Sequence, residues 1–444
     1  MKKIFFSILT LLLLFTACQD LGDNKPLLSN KKEKQPIIIV NKNRHLNIAA
    51  FWLNSVNKAD DLILNEKEIT RFNNDTIYRK KTVTNFSDIN KRYAASWVKE
   101  TILKSFYGMK SKTSYYLSDS KIPSKFFKDI KEELNLNELR KSNVTTRYAL
   151  TVNYSNQKII PTEFELLKKK NQIHFDRNQN SALDIATPLA ILHTSKDGFW
   201  HYGIGPTSSG WVRSKDIAFG ERDEIMDYLS SKKFVITTSA KNPLMIQGQY
   251  HDYLRMGVRL PMLMTIDDMT MILVPSRGED GNLIVSNATI DSANVHEGYL
   301  AYTPRTILTQ AFKFLNAPYG WGGMYGEQDC SKFLQEVYAT TGVRLPRNST
   351  SQSNIGEDKI ELKDISKSSK EQFLRNSALS GATILHLKGH IVLYLGEYKG
   401  ESYIIHTVWG ASSKHFALGR TAVTSVNFNN YLNKIDRLTN ITLE

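Results

Sequence analysis

"YGWGGMYGEQDCSKFLQEVY", Tyr319 to Tyr338, places a glycine-rich turn directly before Asp-Cys-Ser and an amphipathic run. Phe333, Leu334, Val337 and Tyr338 recur at helical spacing, Asp329 is a capping residue type and Gly342 a stop. The run therefore predicts a helix that begins near Cys330. A cysteine in a first helical turn meets unpaired backbone N–H groups and the positive end of the helix dipole, and both favour the thiolate. A thiolate becomes a catalyst only with a base in reach and a third group to orient that base.

The chain has 10 histidines, and two of them fall where such partners belong. His390 opens the apolar run "GHIVLYLG", and His406 lies in the next run, "YIIHTVWG". The tight turn "EYKG" joins the two, so antiparallel pairing brings the imidazoles side by side. His390 is expected to act as general base and His406 as its orienting partner. Zinc is the competing use, with His386, His390, His406 and Cys330 as ligands. Lys388-Gly389 interrupts the spacing of the first two, and there is no paired-cysteine or His-Glu-x-x-His pattern, so the site is read without a metal.

At 444 residues the chain exceeds one ordinary core, and several domains are expected. It opens on "MKKIFFSILTLLLLFTAC": Lys2 and Lys3, the apolar stretch Ile4 to Phe15, then small Thr16-Ala17 before a cysteine. This is a targeting segment, shorter than the roughly 18 apolar residues a spanning helix needs. It resembles a bacterial lipoprotein signal, residues 1–17, removed before a lipidated Cys18; Phe15 departs from the leucine usual at that position. Plain secretion is the alternative. The chain is expected to leave the cytoplasm and to sit at the periplasmic face of a membrane. Gln19 in place of an inner-membrane aspartate favours the outer membrane. With Cys18 taken by lipid, Cys330 has no partner, which in an exported chain means an intermolecular bond, a reactive group or an inert buried thiol. The formal charge of +14 suits polyanionic partners such as cell-wall polymers or lipid head groups. No basic run interleaved with aromatics points to nucleic acid.

Along the chain, 18–44 reads as a flexible tether and 45–140 as a mainly helical N-terminal domain, with Phe51, Trp52 and Trp97 in its core. Short apolar runs broken by turn signals fill 141–222 and 223–300 and predict two small all-β barrels, with Asp197-Gly198 as a hairpin turn. Residues 301–444 read as helix, helix, then an antiparallel meander, an α+β layout.

The motifs "YGWGG", "DCSKFLQEVY", "LPRNS", "GHIVLYLG" and "IIHTVWG", in that order over about 300–430, resemble the NlpC-type cysteine peptidases of bacterial cell walls. The resemblance implies a papain-like core and hydrolysis of the bond between γ-D-glutamate and the diamino acid of peptidoglycan stem peptides or muropeptides. "FDRNQNSALDIATPLAILHTSKDGFWHYG" and "RMGVRLPMLM" with "VPSRGEDGNL" are similar to the two bacterial SH3-type domains that precede the catalytic core in one subgroup. It further implies Cys330 as nucleophile, His390 as base and His406 as third polar residue, acting in a monomer without a cofactor. Tyr319, Trp321, Asp329, Ser331 and Ser349 are implied in the substrate cleft, Asp329 being placed to meet the free amino terminus of a short muropeptide. In such relatives the first SH3-type domain narrows the cleft, and Trp200, Tyr202 and Trp211 are the candidates for that wall here. Lys332 departs from the family's usual glycine, and would point outward, crowd the cleft or lower the thiol pKa. Two other readings share these residues: an N-acetylmuramoyl-L-alanine amidase or acyl transferase on the same core, and a non-catalytic wall-binding lipoprotein.

Overall fold

Ala95, Val98, Ile102, Phe106 and Met109 repeat every three or four residues, and the helix Ala95–Lys112 buries that stripe. Phe127 and Ile130 of the helix Ser124–Glu133 join it, and both helices close against Trp200, Tyr202 and Trp211. Trp97 falls one position off the stripe, stands 44% exposed and stacks on Tyr93. The computed structural model describes residues 44–116, 120–410 and 418–443. The expected signal, Cys18 and the tether to residue 43 lie outside the described residues.

"AAFWLNSVNKADDLI" forms only the short helix Ala49–Leu53, followed by turns. Its Trp52 is fully buried, donates its indole N–H to the Leu46 carbonyl at 2.8 Å, lies against Tyr403, and belongs to the same apolar cluster as Phe314, Phe333 and Tyr338. The stretch expected as one helical domain thus divides its apolar residues between two cores. One lies under the first sheet and the other under the cysteine-bearing helix.

Among the described residues the first sheet has seven strands. In spatial order these are Ile217–Gly220, Arg147–Thr151, Pro188–Thr194, Trp200–Ile204, Ser209–Arg213, Ser155–Lys158 and Gln179–Leu183. Pro188–Thr194 and Trp200–Ile204 pair antiparallel across Asp197-Gly198, with Gly198 at φ 76°. A second seven-stranded sheet runs from Phe234–Thr237 to Val295–Glu297, with Met269–Arg277 and Leu283–Asp291 paired along their whole length. Leu150, Ile185 and Ala190 of the first sheet region pack with Leu254, Leu260 and Val274 of the second, so the two share apolar core.

A third, six-stranded sheet is ordered Lys359–Glu361, Ile435–Asn440, Thr383–Leu387, His390–Tyr398, Glu401–Val408, Arg420–Ser425. Its pairs are antiparallel. The helices Pro304–Phe312 and Cys330–Ala339 lay Ile307, Leu308, Phe333, Leu334 and Val337 against Ile384, Ile391, Leu393 and Ile405 of this sheet. Two helices followed by a meander is the α+β order expected for the C-terminal part.

The glycine-rich lead-in to Cys330 is pressed against the first sheet. Gly323 has φ 87°, and a Cβ there would stand 2.5 Å from the Ala182 Cβ and 2.8 Å from the Tyr154 hydroxyl. Neither neighbour can withdraw, because Ala182 is in a strand and the Tyr154 hydroxyl donates to the Gly323 carbonyl at 2.9 Å. Gly323→Ala is expected to destabilise the fold by about 2–3 kcal/mol, from backbone strain plus overpacking. Urea unfolding measures this as a lowered midpoint at unchanged slope; an unmoved midpoint would contradict the packing described.

Candidate active site

Asp329 precedes the Cys330–Ala339 helix in extended conformation, and its carboxylate accepts from the Lys332 N–H at 2.9 Å. The same carboxylate accepts from the Gly322 N–H at 3.1 Å, the Ser331 hydroxyl at 3.0 Å and both terminal nitrogens of Arg347, at 3.2 and 2.8 Å. Arg347 also donates to the Ser331 hydroxyl and, through Nε at 2.9 Å, to Ser181 of the first sheet. Asp329 and Arg347 are each 9% exposed. Burial alone would raise the carboxyl's pKa, yet Arg347 and the other donors hold it below its ordinary value. With five donors on two oxygens, Asp329 is a hub that fixes the lead-in, the helix start and the "LPRNS" turn. Ser349 starts the short helix Ser349–Gln352 just beyond Arg347 and is half-buried.

His390 and His406 lie in paired strands, with Nε2 of the first 2.8 Å from Nδ1 of the second. His406 is fully buried, and its Nε2 is 3.1 Å from the Thr424 hydroxyl on the next strand. Cys330 sits beside them: the Ile391 backbone N–H, next in chain to His390, hydrogen bonds to its sulfur, as does that of Ser331. Tyr431 lies 5.7 Å from the His390 ring and 5.6 Å from the His406 ring. His386 turns instead to Asp436, 2.6 Å away.

Both members of the Cys330–His390 pair rest neutral. Burial, helped by Asp329, pushes the thiol up to about 12, and burial brings the His390 imidazole down to about 4. The helix start was expected to favour the thiolate. In the molecule as it stands, lost water and the neighbouring carboxylate outweigh the helix N–H groups, the Ile391 N–H and Arg347.

Tyr319 and Trp321, both half-buried, form an aromatic wall with Phe175 and Trp409. Burial, then the charges of Asp329 and Cys330, raise the Tyr319 hydroxyl's pKa. Phe175 belongs to the first sheet's long loop, together with His174, whose ring lies 4.0 Å from Trp409, and Arg177, 4.7 Å over Trp321. This loop is the wall that Trp200, Tyr202 and Trp211 were expected to supply. Those three are 3%, 2% and 0% exposed and face the two N-terminal helices instead. Glu165, hydrogen bonded to Tyr325 and close to His174, has its carboxyl raised by burial and by Asp176.

Lys332 neither points into solvent nor crowds the cleft. Two residues after Cys330 is a rotation of about 200°, so its side chain leaves the opposite face of the helix. Its Nζ bonds Asp184 of the first sheet region at 2.7 Å and lies 3.7 Å from Glu336. A cavity of about 500 Å³ borders this face, lined among others by Asp184, Met256, Tyr299, Lys332 and Glu336. Burial pushes the Glu336 carboxyl up to about 8 in spite of Lys332.

Residues 316–411 match the NlpC/P60 family, and residues 165–213 match an SH3 domain of the SH3b1 type. The chain thus carries an NlpC/P60 domain in its C-terminal part with an SH3b1-type domain ahead of it. It is similar in structure to an NlpC/P60 endopeptidase from Photobacterium damselae subsp. piscicida, with TM-score 0.72 and 20% identity over 88% of this chain and 97% of that one. An NlpC/P60 family protein from Bacillus cereus aligns at TM-score 0.49 and 17% identity over 66% of this chain and 99% of that one. No curated protein matches the chain.

The neutral histidines carry a stability signature. An unfolded histidine binds its proton near pH 6.5, whereas folded His390 binds one only near about 4, and burial holds folded His406 well below its ordinary value too. Between those values the unfolded chain holds more protons, so stability falls as pH falls. His201 of the first sheet, also brought down to about 4, adds with the same sign. The urea midpoint is expected to drop from pH 6.5 to 4, and His406→Asn to flatten part of that drop. A midpoint insensitive to pH across this window would contradict the assignment.

Proposed function

We propose that this NlpC/P60-domain chain is a cysteine endopeptidase that hydrolyses the γ-D-glutamyl–diamino acid bond of peptidoglycan stem peptides or muropeptides. The observation that carries the reading is the Cys330 thiol at a helix start beside a His390–His406–Thr424 relay centred on the fully buried His406, in a cleft walled by aromatic side chains. The relay favours one tautomer for catalysis. If His406 Nε2–H donates to Thr424, His406 Nδ1 accepts from His390 Nε2–H, and His390 Nδ1 is left as the acceptor for the thiol proton.

The steps follow from the neutral pair. As substrate enters, the Cys330 proton passes to His390 while sulfur attacks the γ-D-glutamyl carbonyl carbon. The carbonyl oxygen gathers charge, and N–H groups at the helix start together with the Tyr319 hydroxyl are placed to receive it. His390 then gives its proton to the departing amine of the diamino acid, leaving a thioester on Cys330. His390 next takes a proton from water, whose oxygen attacks the thioester and releases the carboxylate with the thiol restored. His406 and Thr424 hold the ring of His390 and accept none of the substrate's atoms.

The loop His174–Arg177 narrows the cleft, which favours a short muropeptide over an intact sacculus. Asp329 remains the candidate for a free amino terminus; with five donors already on its two oxygens, it would act there through its charge. The wall-facing location belongs to the same reading: residues 1–17 as lipoprotein signal, Cys18 as the lipidated residue, and the protein on the periplasmic face of a membrane.

The test is incubation of wild type and Cys330→Ala with L-Ala-γ-D-Glu-diaminopimelate tripeptide and with sacculi, read by mass spectrometry. A new diamino-acid amine from the tripeptide with wild type alone is expected, with His390→Ala losing about a thousandfold or more of kcat and Thr424→Val about tenfold. Release of whole stem peptides from sacculi would make it an amidase instead. Absence of any product, with Cys330→Ala binding sacculi as well as wild type does, would make it a binding module.

A further inference from the structure

The lysine two positions beyond the nucleophile is enclosed by three parts of the fold. Lys332 is 8% exposed, its N–H is capped by Asp329, and its ammonium bonds Asp184 at 2.7 Å. Asp184 is itself an immobile anchor. Its carbonyl accepts from the Thr151 hydroxyl at 2.5 Å and from the Thr187 hydroxyl at 2.6 Å. It directly follows the strand Gln179–Leu183, which builds the opposite side of the catalytic turn. Gln179 donates to the Gly322 carbonyl at 3.2 Å, and Ser181 accepts from Arg347. One short segment of the first sheet therefore grips the glycine-rich lead-in at one end and the first turn of the cysteine helix at the other.

We infer that Lys332 is a positioning residue: its ion pair with Asp184 clamps the first turn of the Cys330 helix to the first sheet and so fixes the sulfur relative to His390 and the cleft wall. The charge does not act on the thiol itself, because the side chain leaves the helix on the face away from Cys330. Its place is taken for distance rather than for electrostatics. A glycine at this position, as the family resemblance leads one to expect, would leave Asp184 without its cation, and the helix start held to the sheet only through Asp329 and Arg347. A misplacement of about 1 Å at a reacting atom can lower a rate by about a hundredfold, so a clamp two residues from the nucleophile has leverage on catalysis.

The inference rests on Cys330 being the reactive thiol and partly on the proposed reaction, and two independent readouts separate them. The variants are Lys332→Met, Asp184→Asn, the double variant and Lys332→Arg, each assayed well below its melting temperature in the full chain. Iodoacetamide alkylation of Cys330 needs no peptidoglycan substrate. Loosening of the turn is expected to speed it about fivefold in Lys332→Met and Asp184→Asn, and the double variant to go no further than either single one. On the tripeptide, kcat is expected to fall about tenfold while KM changes less than twofold, with Lys332→Arg recovering most of the loss. Altered alkylation in a wild type that cleaves nothing would support the clamp and sink the peptidase reading. Wild-type alkylation and kcat in folded Lys332→Met and Asp184→Asn, or losses that simply add in the double variant, would overturn the clamp.

Discussion

A carboxylate can stay charged away from water only where other groups replace the water it lost, and the position of Asp329 depends on that condition. Arg347 supplies the opposite charge, and Gly322, Ser331 and Lys332 supply the remaining donors. Removing either charge would leave the other buried and unpaired, a change that typically destabilises by about 3–5 kcal/mol. Because the donors come from the lead-in, the helix start and the "LPRNS" turn, and Arg347 continues to Ser181, one ion pair ties the turn at Cys330 to a sheet nearly 150 residues earlier in the chain. The cleft is assembled around this pair.

The electrostatic state of Cys330 and His390, the proposed catalytic pair, follows from the same enclosure. The cleft that holds Cys330 and His390 close also strips them of water, and each settles in its uncharged form. A helix N-terminus contributes a partial charge, and a partial charge does not offset full desolvation next to a carboxylate. On the proposed mechanism, activation is thereby coupled to occupancy: charge separation becomes favourable when substrate supplies an atom on which negative charge can develop opposite waiting N–H groups.

What could be read from the residues was what depends on neighbours in sequence. The helix at Cys330 is set by Asp329 one position before it and by its own apolar spacing, and the approach of His390 and His406 is set by the turn between their strands. Trp200, Tyr202 and Trp211 show the limit: an aromatic residue in a strand has the same pattern whether its face meets a cleft or a helix, and here two N-terminal helices cover it. Phe175 and Arg177 gave no periodic signal because they stand in a loop, and Thr424 is defined only by the strand pairing that brings it behind His406. Arg347 was visible within "LPRNS", but its acid partner lies 18 residues back across the fold. The N-terminal stretch looked like one helical domain, since periodicity reports that a face is buried and not what buries it.

The bonds that run from the first sheet region to the turn at Cys330 have a mechanical consequence: Tyr154 to the Gly323 carbonyl, Gln179 to the Gly322 carbonyl, Lys332 to Asp184 and Arg347 to Ser181. Parts joined by linkers can open and close a cleft by swinging; parts joined by buried polar bonds cannot separate without leaving those groups unpaired. The gap between the His174–Arg177 loop and the Cys330 turn is therefore a fixed gauge. On the proposed reaction, peptides are admitted by fit to that gauge, and replacing a side chain on its rim is the direct way to change which peptides pass.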